Sequence, residues 1–441
     1  MGAHEKKRTA AKHTAPETVP GEETTVTAPP AEGKAPEASP SAAPAAEAKK
    51  PEEVIPGRSR HVFVWKALRP IGKLIVWLRF RFRGRETRVG QPFLLVCNHV
   101  TDWDPILAAC SFPEQIYFVS SEHLLRAGLG GKLVSWLQSP IPRQKSGNAA
   151  GTVLTVMRYL RRGLNVGIFP EGNRNWDGVT MEFLPSIAKL ARSSGAALVT
   201  YKFTGGYFAS PRWSGNSARR GKMEGAVVRV YSPEDLHAMT PKEINAHIEE
   251  DLYEDAYARQ RKDPIRYNGR RLAEHMETLL FLCPRCRRMH TLQSRDDTVT
   301  CWKCGLSFRY LPTGFLSGDD IPYDNLRDWV HWQRNEIFRF CDDADDSAIF
   351  TDTDIRVDTV ESAAGTKRLG KGDMKLFRDR LELPGAVLPL GDITGISLRG
   401  PQDLYISTNE NHYLARSSYV RCMVKYLTAI SHLNGDAHYG E

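Results

Sequence analysis

Apolar positions change period several times along the chain, and each change predicts an element. Phe93-Leu-Leu-Val96, Val166-Gly-Ile-Phe169 and Ala197-Leu-Val-Thr-Tyr201 are apolar without alternation. Short continuous runs of this kind predict strands covered on both faces. Residues 152–162 and 184–192 instead space their apolar side chains at helical intervals. Strands alternating with helices between about 80 and 231 predict an α/β domain. Thr240-Pro-Lys-Glu243 is a capping box with proline at the first helical position, so a helix should follow and bury Ile244, Ile248 and Leu252.

Upstream, Val64, Leu68, Ile71, Ile75 and Leu78 alternate spacings of four and three, an apolar helical stripe. Lys66, Arg69 and Lys73 fall on another face, and Trp65 and Trp77 suit a headgroup boundary. Pro70 interrupts the stretch, which allows two short helices. Downstream, 326–340 is aromatic and helical in period. The pattern then shortens to strands over 374–377, 380–383, 393–398, 404–407 and 413–415, with a closing helix over 418–433. Short strands and one terminal helix fit a pleckstrin-homology-like (PH-like) barrel and a plain packing domain equally well.

Length and charge sharpen this division. A chain of 441 residues suggests two or three domains. Residues 1–57 hold 13 Ala, 9 Pro and no aromatic residue, too little apolar surface to offset ordering entropy, so a disordered tail is expected. The formal charge is +8, but its placement matters more than its sum. Residues 58–90 carry 10 basic side chains and one acid, Glu86. Such a concentrated excess fits an anionic membrane surface; an amphipathic helix packed on the domain is the alternative. The N-terminus has no apolar leader core, and no run approaches the length of a membrane span. A cytoplasmic, peripheral protein on the inner face of a membrane is the expectation.

Two segments carry candidate chemistry. Asn98-His-Val-Thr-Asp-Trp-Asp104 follows the strand ending at Val96. An alcohol needs a base to attack a carbonyl, and an imidazole supplies one near neutral pH. That imidazole needs an acid on its other nitrogen, for which Asp104 and Asp102 compete. Phe169-Pro-Glu-Gly-Asn-Arg174 follows another strand. Gly172 allows close backbone approach to a ligand, and the planar fork of Arg174 suits a phosphate. Glu171 would repel a phosphate, so its expected partner is a hydroxyl or a backbone amide.

Taken together, the two segments resemble the glycerolipid acyltransferase family, which includes 1-acylglycerol-3-phosphate acyltransferases. Asn98, His99 and Asp104 match its first signature; Phe169, Pro170, Glu171, Gly172 and Arg174 match its third. Ser139-Pro-Ile-Pro-Arg143 is similar to the phosphate-binding second signature, with Lys145 a substitute for Arg143. The resemblance covers about 58–235. Asn173 stands where the family has Thr, Asn175 where it often has Ser, and Leu198-Val-Thr-Tyr201 lacks the proline of the fourth block. The resemblance implies direct acyl transfer from acyl-CoA or acyl carrier protein to a lysophospholipid hydroxyl, most readily 1-acylglycerol-3-phosphate, giving phosphatidic acid. It implies His99 as base, Asp104 as its orienting acid, Arg143 and Arg174 on the acceptor phosphate, and Glu171 with Gly172 around the glycerol. No catalytic cofactor is expected, and no G-x-S-x-G nucleophile elbow is present.

Cys283-Pro-Arg-Cys286 and Cys301-Trp-Lys-Cys304 form two C-x-x-C knuckles. Their spacing predicts a tetrahedral structural Zn2+ site; paired disulfides are the alternative. Basic residues around the knuckles make nucleic acid conceivable but not the expected partner. Gly365 to Gly372 nearly matches a P-loop, yet Gly372 stands where Ser or Thr should hold Mg2+. The expected organisation is a tail over 1–57, a basic amphipathic membrane-contact segment over 58–90 and an α/β acyltransferase domain over 80–235. A helical connector over 236–278, a zinc ribbon over 279–312, a second connector over 313–345 and a mainly-β module over 346–441 follow. A non-catalytic lipid- or nucleic-acid-binding scaffold on an inactive acyltransferase domain is the competing reading.

Overall fold

The computed structural model describes residues 58–121, 140–143, 149–183, 185–215, 218–361, 365–400 and 402–435. The expected tail over 1–57, Ser139, Lys145 and the side chain of Arg143 lie outside the described residues.

The first part of the chain builds a seven-stranded mixed sheet. Its strands are β1 (Phe82–Gly84), β2 (Phe93–Cys97), β3 (Ile116–Ser121), β4 (Ile141–Arg143), β5 (Asn165–Ile168), β6 (Ala197–Thr204) and β7 (Met223–Tyr231). The order is β1-β7-β6-β2-β5-β3-β4. Strands β6, β2, β5, β3 and β4 run parallel, while β7 is antiparallel to β6 and parallel to β1. β2 lies in the middle with every residue fully buried, which is why its sequence is an unbroken apolar run. Phe93, Leu95 and Cys97 enter one core, whereas Leu94 and Val96 enter the other.

Helices cover both faces. On one face lie α1 (Arg58–Phe80) and α2 (Asp104–Cys110); on the other lie α3 (Ala149–Arg161), α4 (Ser186–Ser194) and, further along the chain, the helix Pro241–Leu252. Thr240 and Glu243 form the capping box of that last helix, and Ile244, Ile248 and Leu252 are buried beneath it.

α1 corrects one expectation: it is a single helix with Pro70 inside, not two. Its buried positions are His61, Trp65, Val76 and Phe80. Most of the apolar stripe read from the sequence faces away: Leu68, Ile71, Ile75 and Leu78 are exposed, together with Phe63, Leu74 and Trp77. Among the described residues no helix is long and apolar enough to cross a membrane.

Four short antiparallel strands surround the cysteine cluster in the order Leu316–Ser317, Ser307–Tyr310, Thr298–Cys301, Leu292–Arg295. Helix Leu326–Asp342 packs on them, and Gln333 Oε1 accepts the Phe281 and Leu282 amides at 2.9 and 3.0 Å. The C-terminal region is mainly β, seven antiparallel strands followed by the helix Val424–Leu433. Its first strand, Phe350–Glu361, was not legible in the sequence, because TDTDIRVDTVE alternates polar with apolar residues too weakly. The near P-loop lies in the second strand, Gly365–Leu376. The closing helix starts at Val424, six residues later than its periodicity suggests.

Candidate active site and metal centre

Two parallel strands bring the two chemical segments together. β2 and β5 pair with Val96 opposite Ile168, so their C-terminal ends lie side by side. The segments that follow, starting at Asn98 and Phe169, therefore share one edge of the sheet. Such an edge is where open α/β sheets place their ligands. Asn98 fixes the exit from β2: its amide donates to Phe203 O at 3.0 Å and accepts the Phe203 N–H at 2.8 Å.

Asp104 is fully buried at the first turn of α2. Its Oδ2 accepts the backbone N–H groups of Val100 at 2.6 Å and Thr101 at 2.9 Å, and its Oδ1 accepts the Thr101 hydroxyl at 2.6 Å. His99 Nδ1 lies 2.9 Å from the same Oδ2. That oxygen already accepts two backbone N–H groups, so Nδ1 is the donor of the pair, and in the neutral imidazole Nε2 then keeps its lone pair. The ring stacks on Phe169 with centroids 4.5 Å apart, and the side chain is 20 % exposed. Asp102 does not touch the imidazole; its carboxylate meets Arg174 instead.

Glu171 uses both carboxylate oxygens on backbone amides, His99 N at 2.6 Å and Met181 N at 2.8 Å. It therefore ties the third-signature loop to the backbone of His99. Burial pushes its carboxyl up to about 8, opposed by those two hydrogen bonds and aided by the charge of Asp104. Gly172 has φ 68°, the left-handed region, which lets its N–H return to Phe169 O at 3.1 Å and close the turn.

Arg174 is buried and spends its fork inside the protein. Nε donates to Val100 O at 3.1 Å, Nη1 to Asp102 Oδ2 at 2.9 Å, and Nη2 to Ser210 O. Asp102 is 66 % exposed, so Nη1 is the arm nearest to solvent exchange. Asn175 is buried, donates its N–H to His99 O at 3.4 Å and has a side-chain oxygen without a hydrogen-bond partner among the described residues.

Arg143 ends β4 and pairs in register with Ser121 of β3. β3 and β5 lie between β4 and β2, so Arg143 is three strand spacings, roughly 14 Å, across the sheet from the strand that leads into Asn98. Leu198 to Tyr201 is buried inside β6, where Tyr201 and Ser111 hydroxyls lie 2.6 Å apart. Sequence reasoning missed Arg212, whose Nη1 donates to Arg174 O at 2.7 Å from 38 residues downstream. No spacing rule connects them; only the fold does.

The four cysteines converge. Their Sγ atoms all lie within 4.8 Å of one another, with Cys283···Cys304 and Cys286···Cys301 each 3.7 Å. A disulfide needs about 2.05 Å, so the thiols are unbonded. Bonds of ~2.3 Å from four sulfurs to one tetrahedral ion put the sulfurs ~3.8 Å apart, so the cluster fits a metal ion.

The chain resembles known proteins over part of its length. Residues 79–204 match the family model described as Acyltransferase. The mouse (Mus musculus) 1-acyl-sn-glycerol-3-phosphate acyltransferase alpha is 26% identical over 197 residues, 43% of this chain and 67% of that protein. Its human counterpart is 26% identical over 178 residues, 40% of this chain and 61% of that protein. The 1-acyl-sn-glycerol-3-phosphate acyltransferase of Borreliella burgdorferi is 27% identical over 118 residues, 26% of this chain and 47% of that protein. The solved 1-acyl-sn-glycerophosphate (LPA) acyltransferase, PlsC, of Thermotoga maritima aligns at 20% identity with a TM-score of 0.40, over 49% of this chain and 87% of that one. The segment that matches the Acyltransferase family model is the one that carries His99, Asp104, Glu171 and Arg174.

Proposed function

We propose that the protein transfers a fatty acyl group from acyl-CoA or acyl carrier protein to the free hydroxyl of 1-acylglycerol-3-phosphate, giving phosphatidic acid. The observation that carries this reading is the His99–Asp104 pair, with Nδ1 committed to the carboxylate and Nε2 left as the base. The acceptor hydroxyl gives its proton to Nε2 as its oxygen attacks the thioester carbonyl. The new C–O bond forms, the C–S bond breaks, and the imidazolium returns the proton to the departing thiolate. Buried Asp104 balances the transient positive charge.

The acceptor phosphate is taken by Arg174 Nη1, displacing exposed Asp102, and Arg143 is the second phosphate-binding residue of this reading. Glu171 acts through the His99 backbone and Gly172 keeps the loop close. The exposed apolar face of α1, flanked by Arg60, Lys66, Arg79, Arg81, Arg83, Arg85 and Arg88, lies on an anionic membrane. α1 is joined to the catalytic loop through the Phe80–Trp103 contact, centroids 5.9 Å apart. The surface that meets lipid thus adjoins the residues that use it.

The four cysteines hold a structural Zn2+, whose closed coordination leaves no open position for catalysis. The C-terminal strands run as a four-strand and a three-strand meander joined by pairing of the first strand with the last, and a helix follows; this order supports the reading of a PH-like barrel. A labelled acyl-donor assay over lysolipids and glycerol 3-phosphate tests the whole reading. Acylated lysophosphatidate is the expected product. No product from any acceptor, with tight RNA, DNA or vesicle binding, would favour a non-catalytic scaffold.

A further inference from the structure

We propose that Arg212 is a positioning residue for His99, acting through Arg174, and that it makes the C-terminal β module part of the active-site support. Arg212 lies in a short 3-10 turn, Arg212–Ser214, outside the segment that matches the family model. It is buried, and its guanidinium lies 4.0 Å from the centroid of the Trp176 ring. Nη1 donates to Arg174 O at 2.7 Å and Nη2 to Leu398 O at 2.9 Å. Leu398 belongs to the strand Ile393–Arg399 of the C-terminal module. One planar fork therefore spans the loop that ends in Arg174 and a remote β-strand.

Each arginine clasps the segment that carries the other. The Arg174 side chain donates to Ser210 O, two residues before Arg212, while the Arg212 side chain donates to the Arg174 carbonyl. Arg174 in turn holds Val100 O and Asp102. The N–H groups of Val100 and Thr101, on that same loop, grip Asp104, and Asp104 holds the His99 ring. Each link is a directional hydrogen bond, and a buried guanidinium left half-paired is costly. A displacement at Leu398 or Arg212 thus reaches the imidazole through rigid steps. Lysine offers one point charge and cannot span both carbonyls, so the fork geometry, not the charge alone, is what the site uses.

The kinetic arm of the test rests on the acyltransferase reading; the spectroscopic arm does not. Full-length Arg212→Lys and Arg212→Gln are compared with wild type at a temperature where circular dichroism shows all three folded. Acyl transfer to lysophosphatidate should lose about tenfold to a hundredfold in kcat, with any rise in acceptor KM, transmitted through the phosphate contact of Arg174, smaller than the loss in kcat and Arg212→Lys the milder variant. The hydrogen-bonded Nδ1–H proton resonance of His99 should move or broaden in both. Wild-type kcat and an unmoved resonance, with only a lower melting temperature, would overturn the proposal. If wild type turns over no acceptor, the functional reading fails, and the His99 resonance alone decides: a shift supports the clasp and its absence refutes it. Should Arg212→Gln not fold, Arg212→Lys decides on the same terms.

Discussion

At the scale of single residues, the site is a set of commitments. Asp104 spends four acceptor contacts on Val100, Thr101 and His99, so its orientation is fixed before substrate arrives. Asp104→Asn keeps the shape but removes the charge that balances an imidazolium. We expect kcat to fall by about a thousandfold or more with the fold intact, read by steady-state kinetics and circular dichroism. Glu171 gives a pH signature. Its folded-state value, about 8, lies above the ordinary 4.5, so the folded state binds that proton more tightly than the unfolded chain. Its contribution to stability is complete below about 4.5 and is lost as pH rises through about 8. Thermal melts should show stability declining across that window, and Glu171→Gln, which cannot titrate, should flatten the decline. That the segments of His99 and Asp104 and of Glu171 and Arg174 would meet was legible because each signature is local and each follows a strand. Their partners were not: that Arg174 would spend its fork on Val100, Asp102 and Ser210 depends on loops 72 and 36 residues away in sequence.

At the scale of elements, continuous apolar runs gave away the central strands, and the capping box gave away its helix. The first strand of the C-terminal region escaped because two of its buried positions are acids, Asp352 and Asp358, which breaks the apolar alternation, while its hairpin partner Gly365–Leu376 is largely exposed. α1 is the informative element, since the stripe that periodicity marks is mainly the one the fold leaves uncovered. Burying a leucine is worth about 1.5–3 kcal/mol, and about 1.4 kcal/mol is tenfold in affinity. Leu74→Glu with Leu78→Glu should therefore weaken binding to anionic vesicles about tenfold or more without lowering the melting temperature. Co-sedimentation checks this, and undiminished binding would remove α1 from the membrane. Raising salt should weaken the wild type's binding as well, since the flanking arginines are exposed.

At the scale of the whole molecule, the regions are tied by buried polar contacts that no local pattern encodes. Asp352 and Lys425 are both fully buried, 2.6 Å apart, with Arg421 at 2.8 Å and the Tyr426 hydroxyl at 2.8 Å on the same carboxylate. His290, beside the cysteine cluster, reaches the Lys425 ammonium at 2.9 Å. Despite burial, the Lys425 and His290 charges hold the Asp352 carboxyl down to about 2. Asp352→Ala would strand a buried ammonium, at a cost of about 3–5 kcal/mol, read by urea unfolding. Removal of metal by a chelator should unfold residues 279–312 and, through this link, loosen the C-terminal strands; hydrogen exchange unchanged in both would contradict the zinc assignment. The central claim, however, is chemical: one imidazole, oriented by one carboxylate, deprotonates a lipid hydroxyl. The most direct measurement is acyl transfer from labelled acyl-CoA or acyl carrier protein to lysophosphatidate by wild type and by His99→Ala. The account predicts labelled phosphatidic acid from wild type and loss of turnover in a variant that stays folded; equal turnover by the two proteins would contradict it.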